Sequence, residues 1–320
     1  MEYRYLGRTG LKVSEICLGS MQFGWTASEE LSYQILSAAY DAGVDFIDTA
    51  DVYSRWVTGN KGGEAETIIG DWIERSGTPR HHLVIATKVR NRVGDGLNDE
   101  GLSRAHILRA VEASLRRLHT DYIDLYQAHW PDDGVRIEET LRTFDDLVHQ
   151  GKVRYIGCSN YPAWRLTEAV WTSEHYGLAR FETLQPHYNL VHRAEFEREL
   201  AAVCRAYGLG VIPYSPLAAG FLTGKYRPGR SVESARLNRA SQHFNERNWA
   251  LLEQMEQLGK DRGGFSISQV ALAWLLADPL VTSPIIGPRS LEQLQDNLRA
   301  TQLKLTPEDK KQLDEASSWQ

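Results

Sequence analysis

Short apolar runs alternate with amphipathic helical patterns along nearly the whole of this chain. A short run of β-branched and aromatic residues predicts a buried strand, whereas apolar residues three and four positions apart predict a helix. Strict alternation of the two favours parallel strands joined by right-handed crossovers. The predicted strands are residues 16–19, 44–48, 83–87, 122–127, 153–158, 181–185, 210–214 and 282–286.

Eight strand–helix units predict an α/β fold that closes into a (β/α)8 TIM barrel. The 320 residues fit one such unit and show no linker, so we predict a single domain over residues 1–320. The alternative is an open, doubly wound sheet, which would carry a Gly-x-Gly-x-x-Gly turn after its first strand. Residues 19–24 are Gly-Ser-Met-Gln-Phe-Gly and lack the second glycine, which favours the barrel.

Two segments lie outside the alternation. Residues 3–15 predict a β-hairpin around the turn Gly7-Arg8-Thr9-Gly10, and we expect this hairpin to close the bottom of the barrel. Residues from Tyr214 to about Asn245 show no regular period. Long irregular loops are uncommon in compact domains and are usually functional, so this segment predicts a lid.

Composition argues against several kinds of partner. The formal net charge is −6 and the basic residues are dispersed, so nothing indicates nucleic-acid binding. No apolar run reaches membrane-spanning length and the N-terminus has no signal segment, which predicts a cytoplasmic protein without membrane contact. The three cysteines, Cys17, Cys158 and Cys204, lack metal-ligand spacing, so we predict reduced, buried thiols and no metal site.

Ionisable side chains follow three of the predicted strands. Asp48 ends the second strand and Tyr53 follows in its loop, while Lys88 and His129 end the third and fourth strands. Each has a plainer interpretation when taken alone: a turn or cap residue, a packing tyrosine, a solvated lysine and a surface histidine. Because α/β barrels keep their active sites at the carboxyl ends of the strands, the repetition predicts that these four residues converge.

The order Asp48, Tyr53, Lys88, His129 resembles the catalytic tetrad of the aldo-keto reductases, and the spacing from Asp48 to Tyr53 matches that family. The resemblance covers essentially the whole chain. Further matching motifs are Phe-Ile-Asp-Thr-Ala-Asp-Val-Tyr at 46–53, Gly-Cys-Ser-Asn at 157–160, Gln-Pro-x-Tyr-Asn at 185–189, Tyr-Ser-Pro-Leu at 214–217, Leu-Thr-Gly-Lys-Tyr at 222–226 and Ile-Gly-Pro-Arg at 286–289.

The chemistry of these residues agrees with the resemblance. Reduction of a carbonyl needs a proton on oxygen, which Tyr53 can supply if its pKa falls from about 10 towards the working pH. The Lys88 ammonium would lower that pKa, and Asp48 would pair with Lys88 so that its charge is not buried alone. His129 can donate a hydrogen bond that orients the substrate oxygen. No side chain can deliver a hydride, so a cofactor must.

The resemblance also implies a nicotinamide cofactor and the residues that bind it. Tyr214 would stack on the nicotinamide, and Arg289 beside a helix N-terminus suits a 2′-phosphate. We therefore predict NADP(H) as the cofactor. NAD(H) stays open, because Pro288 and Gln293 stand where many relatives carry basic residues. The remaining predicted contacts are Ser159, Asn160 and Gln185 for the carboxamide, Ser215, Leu217 and Gly220 for the pyrophosphate, and Gly287, Gln293 and Asn297 near the last helix.

The predicted function is an NAD(P)H-dependent oxidoreductase that reduces aldehydes or ketones to alcohols, reversibly. Trp25, Trp56 and Trp130 lie in loops after the strands and are predicted to wall an apolar pocket for a small-molecule carbonyl substrate. The alternative is a cofactor-binding sensor or partner protein like the potassium-channel β subunits, with residual reductase activity. The physiological substrate and the oligomeric state stay open.

Overall fold

The computed structural model describes residues 1–229, 232 and 234–319. A two-stranded antiparallel hairpin, β1 (Tyr3–Tyr5) and β2 (Lys12–Ser14), precedes a parallel sheet of eight strands. The strands of this sheet are β3 (Cys17–Gly19), β4 (Phe46–Asp48), β5 (Val84–Val89), β6 (Ile123–Ala128), β7 (Val153–Ser159), β8 (Phe181–Gln185), β9 (Gly210–Val211) and β10 (Ile285–Ile286).

The sheet closes on itself. Its strands lie in the order β10-β3-β4-β5-β6-β7-β8-β9, so the two ends of this order are the last two strands of the chain. Val211 bridges to Val281, and the Ile285 N–H donates to the Pro213 carbonyl at 2.9 Å, which joins β9 to the segment of β10. The predicted TIM barrel is confirmed, and the open doubly wound sheet is wrong. That residues 1–320 form a single domain stays a prediction.

Helices surround the barrel, and their sequences explain where they begin. Ser28 and Ser103 accept hydrogen bonds from backbone N–H groups of the first turns of α1 and α3, as N-cap serines do. The helices are α1 (Glu29–Asp41), α2 (Glu64–Ser76), α3 (Arg104–Arg117), α4 (Ile137–His149), α5 (Ala163–Tyr176), α6 (Ala201–Tyr207), α7 (Leu237–Ala240), α8 (Glu246–Asp261), α9 (Ile267–Leu276), α10 (Leu291–Arg299) and α11 (Pro307–Ala316).

Alternate residues of each strand face two different cores. Phe46 and Ala86 point into the barrel, where they pack with Leu125 and Ile212. Their neighbour Ile47 belongs to the outer core between strands and helices. This alternation follows from the two-residue period of a strand, and it fills the barrel interior with side chains instead of leaving a pore.

The hairpin closes the bottom of the barrel, as predicted. Leu6 and Val13 are fully buried in the interior core. The Arg4 guanidinium donates to the carbonyls of Val281 at 2.9 Å and Leu276 at 3.0 Å, which ties the hairpin to the segments before β10. The amino-terminal ends of the strands are therefore sealed, and the opposite end is left for a site.

Two predicted strands are shorter than their apolar runs. The ladder of β9 ends at Val211 and that of β10 begins at Ile285, whereas the sequence patterns extend over 210–214 and 282–286. Pro213 and Pro284 lack the N–H that a ladder requires, which explains both differences.

The predicted lid is irregular, as expected, but it contains short helical turns. Ala218–Thr223 and Ser241–His243 form 3-10 turns on either side of α7. Phe221 packs against Trp249 of α8 with ring centroids 5.1 Å apart. Residues 230, 231 and 233 of this segment lie outside the described part of the chain.

The seating of the hairpin generates a stability prediction. Gly7 has φ +60°, and a Cβ there would lie 2.7 Å from both the Glu182 carbonyl oxygen and the Gly210 nitrogen. We expect Gly7→Ala to lower the free energy of unfolding in urea by roughly 1–3 kcal/mol, because backbone atoms must shift. Gly10→Ala is the matched control, since nothing lies within 4 Å of its Cβ position. Equal stabilities of the two variants would contradict the proposed seating.

Candidate active site

One large cavity opens at the carboxyl ends of the barrel strands, with a volume of about 930 Å³. This is the end of the barrel opposite the hairpin. Lys88 lies behind the cavity wall, and its side chain is fully buried. The predicted site residues that line the cavity are Asp48, Tyr53, Trp56, His129, Trp130, Ser159, Asn160, Gln185, Tyr214, Ser215, Leu217, Gly220, Gly287, Arg289, Gln293 and Asn297.

Lys88 is the centre of the site. Its ammonium carries three N–H donors and has three acceptors: Asp48 Oδ1 at 2.5 Å, the Thr49 carbonyl at 2.8 Å and the Tyr53 hydroxyl at 3.0 Å. All three acceptors come from the end of β4 and the loop that follows it. The structure thus brings Asp48, Tyr53 and Lys88 together as the sequence predicted.

The second oxygen of the Asp48 carboxylate is also occupied. Asp48 Oδ2 accepts from the Gln185 side-chain amide at 2.9 Å and from that of Gln127 at 3.2 Å. The Gln185 amide nitrogen thus holds Asp48, and because Gln185 also lines the cavity, its predicted contact with a carboxamide stays a prediction. Sequence reasoning missed Gln127, although a buried amide two residues before His129 at a strand end was a usable signal. The carboxylate is therefore fixed by one cation and two amides.

The pKa values at this centre follow from burial and charge. Burial disfavours the Lys88 ammonium, but Asp48 and Tyr53 outweigh it and hold the pKa of Lys88 above its ordinary value. Burial raises the pKa of Tyr53 above 10, and the opposing Lys88 charge does not cancel that rise. Lys88 lowers the pKa of Tyr53 as expected, through its charge and its hydrogen bond, but burial is the larger effect and the net shift is upward. At neutral pH the Tyr53 phenol keeps its proton and is an acid ready to donate it.

His129 is a neutral imidazole at the rim of the same centre. Burial, with the charges of Lys88 and Arg90, lowers its pKa well below 6.5. Its ring centroid lies 6.0 Å from that of Tyr53, in an edge-to-face arrangement. Its Nδ1 is 2.9 Å from the side-chain amide nitrogen of Asn91, a residue that sequence reasoning also missed. All four predicted tetrad residues therefore meet at one place.

Tyr214 stands across the cavity with one face of its ring covered. The His187 ring stacks on it at 5.1 Å with an interplanar angle of 11°, and His192 stacks on His187 at 3.9 Å. The Tyr214 hydroxyl donates to Asn160 Oδ1 at 2.9 Å, and Asn160 Nδ2 donates to the His129 carbonyl at 2.9 Å. Asn160 thus links Tyr214 to the backbone of His129.

The far end of the cavity is strongly basic. Arg289 lines it together with Arg236, Arg239 and Lys225, which come from the lid segment. Burial and the charges of Arg239 and Arg289 lower the pKa of Arg236, so these groups lie close together. Within the described residues, no carboxylate forms an ion pair with any of the four. Glu292 and Asp296 also line the cavity, but neither forms an ion pair with Arg289 in the described part of the chain.

Sequence reasoning missed the lid cations. They stand in the segment that was predicted only as a lid, where a signal was available in Arg236 and Arg239, three positions apart. At the neighbouring helix, the Arg289 N–H donates to the Gln293 side-chain oxygen at 3.1 Å, and Ser290 caps α10. The cations at this end of the cavity can thus bind an anion and neutralise its charge.

Several features of the cavity fit a dinucleotide cofactor. Ser20 Oγ and Gln22 Oε1 are buried in the cavity wall and have no hydrogen-bond partner among the described residues. Such groups are costly unless a ligand or solvent satisfies them. Ser215 and Ala219 have positive φ values of 54° and 55°, strained turns of the kind that gather at ligand sites. With the cations, these groups suit an elongated, polar, anionic molecule.

The predicted tryptophan wall is only partly assembled. Trp56 and Trp130 line the cavity and are 48% and 44% exposed. Trp25 does not line it. Its ring lies 5.6 Å from that of Trp56 in an edge-to-face contact, and the Arg236 guanidinium lies 5.6 Å from its centroid. Trp25 therefore packs against one wall residue and against the lid.

The buried lysine generates a second stability prediction. Lys88→Met leaves the Asp48 carboxylate buried without its cation, so we expect a loss of about 3–5 kcal/mol in the free energy of urea unfolding at pH 7. Adding Asp48→Asn should recover part of that loss, because the uncompensated charge is gone. Lys311→Met, which breaks an exposed ion pair with Glu315, is the control and should change stability by less than about 1 kcal/mol. No recovery in the double variant would argue against the pairing.

Comparison with known proteins agrees with this geometry. Residues 15–318 match the model of the aldo/keto reductase family. An "uncharacterized oxidoreductase YrpG" of Bacillus subtilis is 41% identical over 96% of this chain and 93% of its own length. A "putative voltage-gated potassium channel subunit beta" of Schizosaccharomyces pombe is 38% identical over 98% and 92%, and a "versiconal hemiacetal acetate reductase" of Aspergillus parasiticus is 37% identical over 98% and 96%. The chain belongs to the aldo/keto reductase family and is an oxidoreductase of carbonyl compounds that uses a nicotinamide cofactor.

Proposed function

We propose that this chain reduces aldehydes and ketones with NADPH and that Tyr53 donates the proton. One observation carries the proposal. The Tyr53 hydroxyl borders the cavity and lies 3.0 Å from a buried ammonium, which is the group that would stabilise the phenolate left after proton transfer. When bound, the nicotinamide cofactor supplies the hydride.

Each residue of the site has its own role in the proposed reaction. Tyr53 holds the proton at its hydroxyl oxygen until the carbonyl oxygen takes it, and Lys88 stabilises the resulting negative charge. Asp48 keeps Lys88 in place through their hydrogen bond, and Gln127 and Gln185 keep Asp48 in place. His129, held neutral by burial, serves as a hydrogen-bond donor to the substrate oxygen. We also propose that Tyr214, Ser159 and the other predicted cofactor residues contact the bound cofactor.

The preference for NADPH rests on the basic end of the cavity. NADPH differs from NADH by one phosphate on the adenosine ribose, and only groups facing that phosphate can distinguish the two. Arg289 carries a permanent planar charge beside the N-terminus of α10, and Arg236 and Arg239 add to it. No carboxylate among the described residues forms an ion pair with these guanidinium groups, which leaves their N–H donors available to an anion.

The substrate is proposed to be a small carbonyl compound that fits between Trp56 and Trp130. The aromatic walls favour flat, apolar carbonyl compounds such as aryl aldehydes. We also propose a cytoplasmic location. Across the described residues, no helix is long and apolar enough to span a membrane.

A second candidate is a cofactor-binding partner of a potassium channel, as the printed name of the Schizosaccharomyces pombe relative suggests. The complete set of Asp48, Tyr53, Lys88 and His129 favours a working reductase. A panel of aldehydes that includes 4-nitrobenzaldehyde and methylglyoxal, with NADPH consumption followed by absorbance, decides between them. Multiple turnovers support the reductase, and a single turnover or none supports the partner.

The role of Tyr53 is tested by removing its hydroxyl. We expect Tyr53→Phe to lower the turnover of 4-nitrobenzaldehyde by at least about 100-fold, the lower end of general acid catalysis, with little change in cofactor binding. Tyr5→Phe is the matched control, because Tyr5 is exposed on the hairpin at the other end of the barrel. Turnover close to that of the native protein would remove Tyr53 from the mechanism.

The direction of the Tyr53 shift generates a pH prediction. An acid must be protonated, and a pKa above 10 keeps Tyr53 protonated throughout the range from pH 6 to 9. The low pKa of His129 keeps the imidazole neutral over the same range. The maximal rate of reduction should therefore be level between pH 6 and 9, whereas alcohol oxidation, which needs the phenolate, should rise with pH. A reduction rate that falls between pH 7 and 9 would indicate a lowered Tyr53 pKa instead.

Arg289 provides the test of cofactor preference. Charge-assisted hydrogen bonds contribute roughly 1.5–3 kcal/mol, so Arg289→Ala should weaken NADPH binding by about 10- to 150-fold and leave NADH nearly unchanged. Titration of both cofactors by protein fluorescence measures this. Arg116→Ala, an exposed arginine on α3, is the control and should affect neither. Equal losses for the two cofactors would exclude Arg289 from the phosphate site.

A further inference from the structure

The side chain of Asn91 contacts the His129 ring on the side that the mechanism does not use. Its amide nitrogen lies 2.9 Å from His129 Nδ1, and Asn91 lines the same cavity as the imidazole. It is not one of the tetrad residues, and it follows Lys88 by three positions in the loop after β5. The contact therefore joins the segment that carries the buried lysine to the imidazole at the end of β6.

This contact decides which nitrogen of His129 carries the proton. A neutral imidazole has one N–H donor and one bare nitrogen, and the partner of one nitrogen sets the state of the other. The Asn91 amide nitrogen, which can only donate, faces Nδ1, and this orientation corresponds to an accepting Nδ1 and a proton on Nε2. We propose that Asn91 is a positioning residue that holds His129 in the Nε2–H tautomer, so that the ring presents a donor to the substrate oxygen.

The opposite tautomer would oppose the reaction. A bare Nε2 would turn its lone pair towards the lone pairs of the substrate oxygen, and no hydrogen bond could form between them. Because burial keeps the ring neutral, a donor at Nε2 requires that the single ring proton be on that nitrogen. This inference rests on the proposed function and adds to it the residue that selects the tautomer.

The backbone around Asn91 is built to hold its amide in place. Arg90 has φ 140°, in a region that residues other than glycine rarely adopt, and its carbonyl accepts from the Gly101 N–H at 2.8 Å. The carbonyl of Val89 accepts from the His129 N–H at 2.9 Å. The backbone is therefore pinned on both sides of the strained residue, and the turn directs Asn91 towards the ring.

The charged groups around the His129 ring do not select between its two neutral tautomers. Lys88 of β5 and Arg90 of the same loop are cations, and both disfavour the imidazolium without distinguishing the two neutral tautomers. Tyr53, from the loop after β4, faces the ring at 6.0 Å between centroids, and Asn160 after β7 donates to the His129 backbone carbonyl. Among the described residues, Asn91 is the hydrogen-bond partner of Nδ1.

The tautomer can be measured directly on the full-length protein. Long-range proton–nitrogen NMR of the ¹⁵N-labelled chain, with and without NADPH, should show a bare Nδ1 and a protonated Nε2 for His129. The signals are assigned as those that vanish in His129→Gln. A protonated Nδ1 in the native chain would overturn the proposal, whatever the catalytic activity.

Replacing Asn91 by an acceptor is the sharpest kinetic test. In Asn91→Asp the carboxylate accepts from Nδ1–H and raises the pKa of His129, so a donor at Nε2 exists only while the ring is an imidazolium. The turnover of 4-nitrobenzaldehyde should then fall as pH rises between 6 and 9, where the native rate is level. Asn91→Leu, which can neither donate nor accept, should lower turnover by about 10-fold at every pH, the scale of one hydrogen bond.

The control and the contrary outcomes are clear. Asn98→Asp makes the same change at an exposed position of the same loop and should leave the pH profile level. A level profile in Asn91→Asp, or a change in NADPH affinity that accounts for the whole loss of turnover in Asn91→Leu, would overturn the role of Asn91. Absence of reductase activity in the native chain would remove the proposed function, and the NMR measurement would still decide the tautomer.

Discussion

The site depends on one buried ammonium group. Lys88 has no solvent exposure, so each of its three N–H donors needs a partner within the protein. All three acceptors, Asp48, Thr49 and Tyr53, belong to a single six-residue stretch, so the same interaction that satisfies the charge also shapes the loop after β4. The position of the phenol is thus a consequence of burying the lysine, and the acid and its stabilising cation are assembled together.

The closed barrel is what makes this burial possible. Adjacent strands set Lys88 beside Gln127, and Asp48 beside Ala86, at the mouth. Gln185 comes from β8, which is four strands away from β4 in the sheet order, and its amide nevertheless reaches the Asp48 carboxylate at 2.9 Å. Only a sheet curved into a barrel brings those two strands face to face. The hairpin covers the other end, where Leu6 and Val13 are buried in the interior core.

Burial also sets the protonation states. The same low-dielectric surroundings raise the pKa of Tyr53 and lower that of His129, because in each case the charged form is disfavoured. Tyr53 and His129 are therefore both neutral at the cavity at neutral pH. At the far end Arg236, Arg239 and Arg289 lie close together, and no carboxylate among the described residues forms an ion pair with them.

The sequence by itself determined the barrel, the hairpin and the grouping of Asp48, Tyr53, Lys88 and His129, because strand and helix periods are local and parallel strands deliver their ends to one edge. The limits that Pro213 and Pro284 impose on two ladders could also have been predicted from the sequence, because proline lacks the N–H that a ladder requires. The sequence did not predict contacts between distant segments. These are the hydrogen bond from Gln185 to Asp48, the ring contact of Trp25 with Trp56, and the place of Arg236 and Arg239 at the basic end of the cavity. Only the tertiary structure decided the direction of the Tyr53 shift and the partner of His129 Nδ1, because desolvation and hydrogen-bond geometry depend on which groups surround an atom in space.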